Sequence, residues 1–342
     1  MANGRGRCFA GLKSWLAGCL PVLMLFSGCG WQQAERQEVE KVVVYSSHPL
    51  SLINPLAEEF EKETGVQVEV HAAGTGQLLA RLEEGEHGDV FWGGTLSSLE
   101  ERWELFAEYR SANEDAMQED FHNVEGRFTR FSDMPSVLLV NTNLLGDIKV
   151  EGYGDLLNTA LRGRIAFADP EKSSSSYEHL ANMLWAMGDG DTEAGWEYVA
   201  KFYRNLGGRL LDSSREVYEG VARGEYALGC TFEEAGAGLL AAGAPVQVIY
   251  MREGVIFRPD VICLLQGAEH GENARRFIDF ITGQGAQAYV AGKLHRRSVR
   301  RDVALPPGLP SKEEIRSVRE TPSGEGDRRQ ARLDRFKSLS RK

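Results

Sequence analysis

Small hydroxylated residues and glycines follow the predicted strands of this 342-residue chain, each time just before a predicted helix. A helix N-terminus offers unpaired backbone N–H groups and the positive end of the helix dipole, and serine or threonine hydroxyls add donors without bulk. Each such loop alone is also explained as a helix cap worth about 1 kcal/mol. Their number favours an anion site, to which we assign Ser46, Ser47, His48, Gly74, Thr75, Gly76, Gly94, Thr95, Ser173, Ser174, Ser175, Ser176 and Ser214.

Motifs of known catalytic or cofactor chemistry are missing from the sequence. There is no GxSxG, HExxH or SxxK motif, and the glycine pairs match neither a P-loop nor a dinucleotide fingerprint. The histidines and cysteines show no metal-ligand spacing. We therefore expect a binding protein without catalytic residues, metal or cofactor. A surface phosphate-ester hydrolase that uses His48, and a purely structural adhesin, are the alternative classes.

Short apolar strands alternate with amphipathic helices along the chain. The pattern begins with strand 41–45, helix 52–64, strand 66–70, helix 77–84 and strand 89–92. It continues with strands at 136–140, 164–168, 209–211, 226–231, 246–250 and 261–265, and with helices at 178–187, 193–206, 215–223 and 272–282. Such alternation predicts an α/β fold with mostly parallel sheets, in which ligands bind beyond the carboxyl ends of the strands.

The first 28 residues have the layout of a secretory signal peptide. Arg5, Arg7 and Lys13 precede an apolar run, Leu16 to Phe26, that is too short for a permanent membrane span. The run ends in Phe26-Ser-Gly-Cys29, which resembles a bacterial lipobox with phenylalanine in place of the usual leucine. We expect lipidation of Cys29, a polar tether over 29–41, and a folded protein held outside the cytoplasmic membrane. An uncleaved anchor is the alternative.

The net charge argues against a nucleic-acid-binding protein, and the sequence around the last two cysteines predicts their redox state. The chain carries 39 Lys and Arg against 50 Asp and Glu, and so acidic a surface repels a nucleic-acid backbone. Cys230 and Cys263 lie in apolar runs, so we expect buried free thiols, although export permits a disulfide. The charged tail from residue 306 predicts a solvated terminus with a last helix near 333–339, and a dedicated binding segment is the alternative.

Five segments carry a resemblance that spans the chain from about residue 42 to 303. They are Val42-Val-Val-Tyr-Ser-Ser-His48, Phe60-Glu-Lys-Glu-Thr-Gly65, Gly88-Asp-Val-Phe-Trp-Gly-Gly94, Gly163-Arg-Ile-Ala-Phe-Ala-Asp-Pro170 and Asn273-Ala-Arg-Arg-Phe-Ile-Asp-Phe280. With these segments the chain resembles the type II periplasmic solute-binding proteins of ABC importers. The branch concerned contains ferric-iron, phosphonate and sugar-phosphate binders.

The resemblance implies an α/β fold of two lobes, with mixed, mostly parallel sheets joined by two crossover strands. Lobe 1 would comprise residues 42–135 and 256–342, and lobe 2 residues 141–252, with the crossings near 131–140 and 255–262. A monomer of this kind traps its solute in the cleft by hinge closure and presents it to a permease of an ABC importer in the cytoplasmic membrane, or reports it to a sensor kinase.

The resemblance is less specific about the ligand. Ferric binders of this branch carry adjacent tyrosines after the strand that corresponds to 226–231, where this chain has Phe232-Glu233-Glu234. His48 does match a histidine ligand of some ferric binders. The anion-holding positions of the relatives match Ser173 to Ser175 and Ser214, which implies that the phosphate half of the site is kept.

The acidic pair Glu233 and Glu234 is therefore expected to hold the other end of the ligand. Carboxylates accept hydrogen bonds from vicinal hydroxyls and also pair with an ammonium group. We expect a small anionic solute, a hexose phosphate or a similar phosphate ester. An aminoalkylphosphonate and ferric ion are the alternatives.

Overall fold

Ten strands and ten α-helices form the part of the chain that the computed structural model describes, residues 40–318 and 325–341. The strands are β1 (Lys41–Ser46), β2 (Gln67–Ala72), β3 (Val90–Thr95), β4 (Thr129–Asp133), β5 (Ser136–Asn141), β6 (Ile165–Ala166), β7 (Leu228–Phe232), β8 (Val246–Ile249), β9 (Pro259–Leu264) and β10 (Arg297–Ser298). The helices are α1 (Leu50–Thr64), α2 (Thr75–Glu83), α3 (Leu96–Leu99), α4 (Ser174–Met187), α5 (Gly195–Asn205), α6 (Ser214–Ala222), α7 (Glu233–Ala241), α8 (Gly271–Ile281), α9 (Gln284–Leu294) and α10 (Glu325–Ser338).

The strands form two sheets, each the centre of one lobe. The six-stranded sheet of lobe 1 has the order β10-β4-β9-β3-β1-β2, and the four-stranded sheet of lobe 2 has the order β6-β7-β5-β8. The chain passes from lobe 1 to lobe 2 between β4 and β5 and returns between β8 and β9. The predicted α/β fold of two lobes joined by two crossing segments is confirmed.

Both sheets are mixed, but antiparallel pairing dominates. Strand β1 pairs in parallel with β2 and β3, and β6 with β7, whereas the other five ladders between described strands are antiparallel. The expectation of mostly parallel sheets is wrong. Every antiparallel ladder involves β4, β5 or β9, the strands next to the crossing points, because these strands are not joined to their ladder partners by the strand–helix–strand connections that produce parallel pairing.

Alternating side chains pack helices onto both faces of each sheet. In β1, Val42 and Val44 belong to one buried cluster, together with residues of α1 and α8, and Val43 belongs to another with residues of α2. In β5, Leu138 packs with α4 and α5, and Leu139 with α6. Because helices cover both faces, the ends of the strands are the places left for a ligand.

The final helix, α10, packs against lobe 2. Phe336 is 2% exposed, and its ring centroid lies 6.1 Å from that of Phe167 and 5.4 Å from that of Tyr203. Ile315 also belongs to the lobe 2 core. The assignment of all of 256–342 to lobe 1 is therefore wrong for its end, because Ile315 and Phe336 are buried in the core of lobe 2.

The two cysteines of the described residues are buried and unpaired, as expected. Burial raises the pKa of the Cys230 and Cys263 thiols, so both stay protonated at neutral pH. Within the described ranges, no helix is long and apolar enough to span a membrane. The predicted signal peptide and lipidation site Cys29 lie outside these ranges.

Candidate functional site

A cavity of about 470 Å³, which we call the inner cavity, lies between the lobes. Its lobe 1 wall comes from the loops that follow β1, β2 and β3 and includes Ser47, Gly74 and Thr95. Its lobe 2 wall comes from the first turns of α4 and α6 and includes Ser174 and Ser214. The strand-end loops thus meet around a space of the size that holds a small organic ligand.

A second space, the outer cavity, has a volume of about 760 Å³ and shares part of its wall with the inner cavity. The residues common to both walls are Ser47, Gly74, Ser174 and Ser214. Of the other predicted site residues, His48, Gly94, Thr95 and Ser175 line only the inner cavity, and Thr75, Gly76 and Ser173 only the outer one.

Helices α2, α4 and α6 all begin at this shared wall. The cap hydroxyl of α4, Ser173 Oγ, accepts a hydrogen bond from the Ser176 N–H at 3.3 Å, and the cap hydroxyl of α6, Ser213 Oγ, accepts one from the Glu216 N–H at 3.2 Å. Each cap satisfies only one of the free N–H groups of its helix. The next hydroxyls, on Ser174 and Ser214, and the remaining N–H groups are placed to bind an anion.

The inner cavity contains charged side chains that were not predicted as site residues, among them Glu178 and Arg258. Glu178 pairs with Arg258 at 2.5 Å, and its Oε1 accepts a hydrogen bond from the Thr95 hydroxyl of lobe 1 at 3.3 Å. Glu178 lies one helical turn after Ser174 on the same face of α4, and that spacing was the available signal. Arg258 lies in the second crossing segment, and nothing local in the sequence indicates that it reaches the cavity.

Arg296 and His48 share a buried charged network at the edge of the inner cavity. Arg296 donates to Asp260 Oδ2 at 2.7 Å, and the His48 ring nitrogens lie 3.4 Å from Arg296 and 3.3 Å from Asp260. Burial, together with the Arg296 charge, holds the pKa of His48 well below its usual range, so the ring is neutral. With both nitrogens beside charged protein groups, His48 is not arranged as a general base for a bound substrate.

Two predicted site serines do not line either cavity. Ser46 is fully buried; its hydroxyl donates to the Trp92 carbonyl at 2.8 Å and accepts from the His48 N–H at 3.3 Å. Ser176 is also fully buried, inside the first turn of α4. Their assignment to the ligand is wrong, because strand and helix geometry turns these two side chains into the protein while their neighbours face the cleft.

Glu233 and Glu234 are held by arginines from lobe 1. Both oxygens of Glu233 accept from Arg297 at 2.8 Å, and Glu234 accepts from Arg296 Nε at 2.7 Å. Neither carboxylate lines the inner or the outer cavity. The expectation that this pair holds the other end of the ligand is wrong, because the two arginines that follow α9 reach it first and form ion pairs between the lobes. Among the described residues, no group of three or more His, Cys, Asp or Glu side chains could hold a metal ion.

Comparisons with known proteins agree with this architecture. Residues 42–292 match the model of a family described as bacterial extracellular solute-binding protein. The structure of the periplasmic binding protein AfuA from Actinobacillus pleuropneumoniae, with exogenous fructose-6-phosphate bound, has a TM-score of 0.79 and 23% identity, and covers 88% of this chain and 99% of that one. This likeness shows the fold.

Two further relatives differ in what their descriptions say they do. A structure described as a two-component system protein that mediates signal transduction has a TM-score of 0.77 and 27% identity, covering 85% of this chain and 99% of that one. Iron uptake protein A1 of Synechocystis is 25% identical over 318 residues, 86% of each chain. Shared ancestry therefore does not identify the solute.

Proposed function

The chain belongs to the bacterial extracellular solute-binding proteins, and from this premise we propose that it captures a small phosphorylated solute, a hexose phosphate or a similar phosphate ester, in the inner cavity. One observation carries the proposal. The N-termini of α2, α4 and α6, with the hydroxyls of Ser174 and Ser214, converge on one wall, and the Glu178 carboxylate lies in the same cavity.

The phosphate group belongs at the wall that the inner and outer cavities share. Backbone N–H groups and serine hydroxyls there donate to an oxyanion, and hydrogen bonds to a charged acceptor are about twice as strong as neutral ones. Arg215, at the start of α6, adds a cation to the wall of the inner cavity. These local donors explain how a protein with an acidic surface can hold an anion.

The uncharged end of the ligand belongs next to Glu178 and Arg258. The carboxylate accepts hydrogen bonds from sugar hydroxyls, the guanidinium donates to them, and the rings of Tyr218 and Phe232 line the same cavity as apolar surfaces. Glu178 would pair equally well with an ammonium group. An aminoalkylphosphonate is therefore the second candidate.

Ferric ion receives less support, although one relative is described as an iron uptake protein. The carboxylates that would have to bind it, Glu233 and Glu234, are both paired with arginines. The fold itself accommodates a sugar phosphate, since AfuA has the same fold and was determined with fructose-6-phosphate.

We also propose that Cys29 is lipidated and that the protein delivers its solute to an ABC permease. The sequence between Leu16 and Cys29 supports the anchor. In cells, Cys29→Ala is expected to move the protein from the membrane fraction to the soluble fraction without affecting its fold. Retention of the variant in membranes would contradict lipidation. Delivery to a sensor kinase is the alternative that the two-component relative suggests.

Mass spectrometry of the compound that co-purifies with the full-length protein tests the ligand class. We expect a phosphorylated sugar on the wild-type protein and none on Ser174→Asp, in which a carboxylate occupies the place of the phosphate. A phosphonate that carries an amine would support the second candidate. Bound iron, lost in a Glu233→Gln variant that still folds, would contradict the proposal, and release of inorganic phosphate from an added hexose phosphate would indicate a hydrolase.

A further inference from the structure

The final helix brings a charged side chain to the wall of the outer cavity. Arg329 of α10 lines that cavity together with Ser173, Ser174 and Ser214. Its guanidinium carbon lies 3.9 Å above the centre of the Tyr177 ring. Stacking of this kind fixes the plane of a guanidinium and leaves the N–H groups at its edge free to bind a phosphate bidentately.

Arg329 differs from the other two cations of the outer cavity that have a described partner. Lys172 pairs with Asp212 at 2.5 Å, and Arg102 pairs with Glu83 at 2.7 Å. Among the side chains that the structure describes, no carboxylate forms an ion pair with Arg329. The charge of Arg329 lies in the outer cavity beside Ser174 and Ser214, where an anionic ligand at the shared wall would meet it.

Contacts along the rest of α10 hold Arg329 in this place. Phe336 is buried in the lobe 2 core, and Arg335 pairs with Glu193 at 2.6 Å and stacks on Trp196 with its guanidinium carbon 4.6 Å from the ring centre. Lys337 forms an ion pair with Glu171. The same helix lies next to α3 of lobe 1, so it crosses the mouth of the cleft.

We infer that α10 supplies Arg329 as a cation of the ligand site, so that a segment beyond the family match at residues 42–292 takes part in binding the phosphate group. This inference rests on the proposed function, because it needs an anionic ligand at the shared wall. It gives the charged tail of the chain a role in affinity for phosphate esters, and it makes the site depend on an element that other members of the family need not have.

Calorimetric titration of the full-length protein with glucose 6-phosphate and with inorganic phosphate tests the inference. Arg329→Gln is expected to weaken both probes by about 10- to 100-fold, as for the loss of one charge-assisted hydrogen-bonding partner. The matched control is Arg204→Gln, which removes an exposed arginine of α5 in lobe 2 outside both cavities and is expected to bind within about twofold of wild type. Thermal unfolding without ligand checks that both variants fold.

The outcomes separate the inference from the proposed function. If the wild-type protein binds neither probe, the proposed function is contradicted, whatever the two variants do. If the wild type binds and Arg329→Gln binds equally well, the function stands and the inference is overturned. Equal weakening by both variants would also overturn it, because the loss of affinity would then reflect the net charge of the protein and not the place of Arg329 in the outer cavity.

Discussion

Ser174 is the residue through which the anion site can be tested most cleanly. It is the first residue of α4, at the wall shared by both cavities, and an acidic residue at this position favours the helix itself. Ser174→Asp should therefore keep the fold and lower the affinity for a sugar phosphate at least about 100-fold, because like charges meet in a closed cleft. Titration calorimetry measures the change.

Ser174→Ala is the matched control for that variant. It removes one hydroxyl donor and leaves the backbone N–H groups in place, so we expect a loss of affinity of less than about tenfold. Equal affinities of the Asp variant and the wild type would show that the anion binds elsewhere.

Replacing Glu233 should change the stability of the protein, whereas replacing Glu178 should change its affinity for the ligand. Glu233→Gln breaks a buried pair with Arg297, so it should lower the free energy of unfolding by about 3 kcal/mol and leave the affinity of the folded protein unchanged. Glu178→Gln should weaken a hexose phosphate and leave inorganic phosphate unaffected, since only the sugar reaches Glu178. Urea unfolding and calorimetry separate the two effects. Loss of sugar-phosphate affinity in a folded Glu233→Gln protein would restore the original assignment of Glu233 to the ligand.

Asp133, at the end of β4, should make stability depend on pH. Burial raises its pKa to about 7, against the opposing effect of Lys312 and Arg297. The folded protein therefore keeps a proton that the unfolded chain releases above about pH 4, so the stability from this group is full below pH 4 and is lost as the pH rises through about 7.

Asp133→Asn should remove part of the loss of stability that the wild-type protein shows as the pH rises. We expect the free energy of unfolding of the wild type to fall between pH 5 and pH 8, with a slope of as much as about 1.4 kcal/mol per pH unit from this group, and that of the variant to fall less. Burial also raises the pKa of Asp260, to about 6, so some decline remains in the variant. Parallel pH profiles of the two proteins in urea unfolding would contradict the assignment.

At the residue scale, local chemistry was predictable and long-range contacts were not. Ser174 and Ser214 could be placed because a strand end followed by a helix start is visible in a few consecutive residues. Ser46 and Ser176 lie in the same local sequence pattern, but their side chains point into the protein and not into the cleft. Arg296 approaches the cavity only because the chain after α9 returns to the crossing region, and no short stretch of sequence contains that information.

At the element scale, Gly93 allows the end of β3 to lie close to the loop after β1, which carries Ser47 and His48. Its φ is +121°, and a Cβ there would clash with the Ser47 hydroxyl and lie 3.3 Å from the His48 ring. Gly93→Ala should therefore destabilise the fold by about 1–3 kcal/mol and displace Ser47, lowering ligand affinity as well.

Gly65 provides the comparison for Gly93. It ends α1 with a φ of +74°, and a Cβ there would have no neighbour within 4 Å. Gly65→Ala carries a similar backbone cost without the clash, so it should lower stability and leave affinity unchanged. If the two alanine variants bound the ligand equally well, the proposed tight approach of β3 to the Ser47 loop would be refuted.

Elements with a clear period were predictable, and elements built from small residues were not. The predicted helices and strands of residues 41–92 all appear, shifted by a few residues at their ends. Helix α7, with the sequence EEAGAGLLA, has glycines and alanines where an apolar stripe would be, so it gives no periodic signal. The predicted strand at 209–211 is reduced to a single bridge between Leu211 and Ala168, because its neighbour β6 is only two residues long.

At the scale of the whole molecule, two kinds of contact join the lobes. Behind the cavity, Glu233 and Glu234 form ion pairs with the two arginines after α9. Across the cavity, the Thr95 hydroxyl donates a hydrogen bond to Glu178. The two-lobed fold followed from the resemblance of five sequence segments. The place of α10 did not, because a helix with five basic residues and two buried apolar ones has the pattern of a solvated tail until the surface that covers Phe336 is known.

The central claim is that the cleft binds a phosphate ester through both of its ends. Calorimetric titration of the purified protein with glucose 6-phosphate, glucose, inorganic phosphate and ferric citrate tests it most directly. We predict that glucose 6-phosphate binds at least about 100-fold more tightly than inorganic phosphate and that glucose and ferric citrate give no saturable binding, since both lack the phosphate group. Tight binding of ferric iron with no heat from glucose 6-phosphate would contradict it.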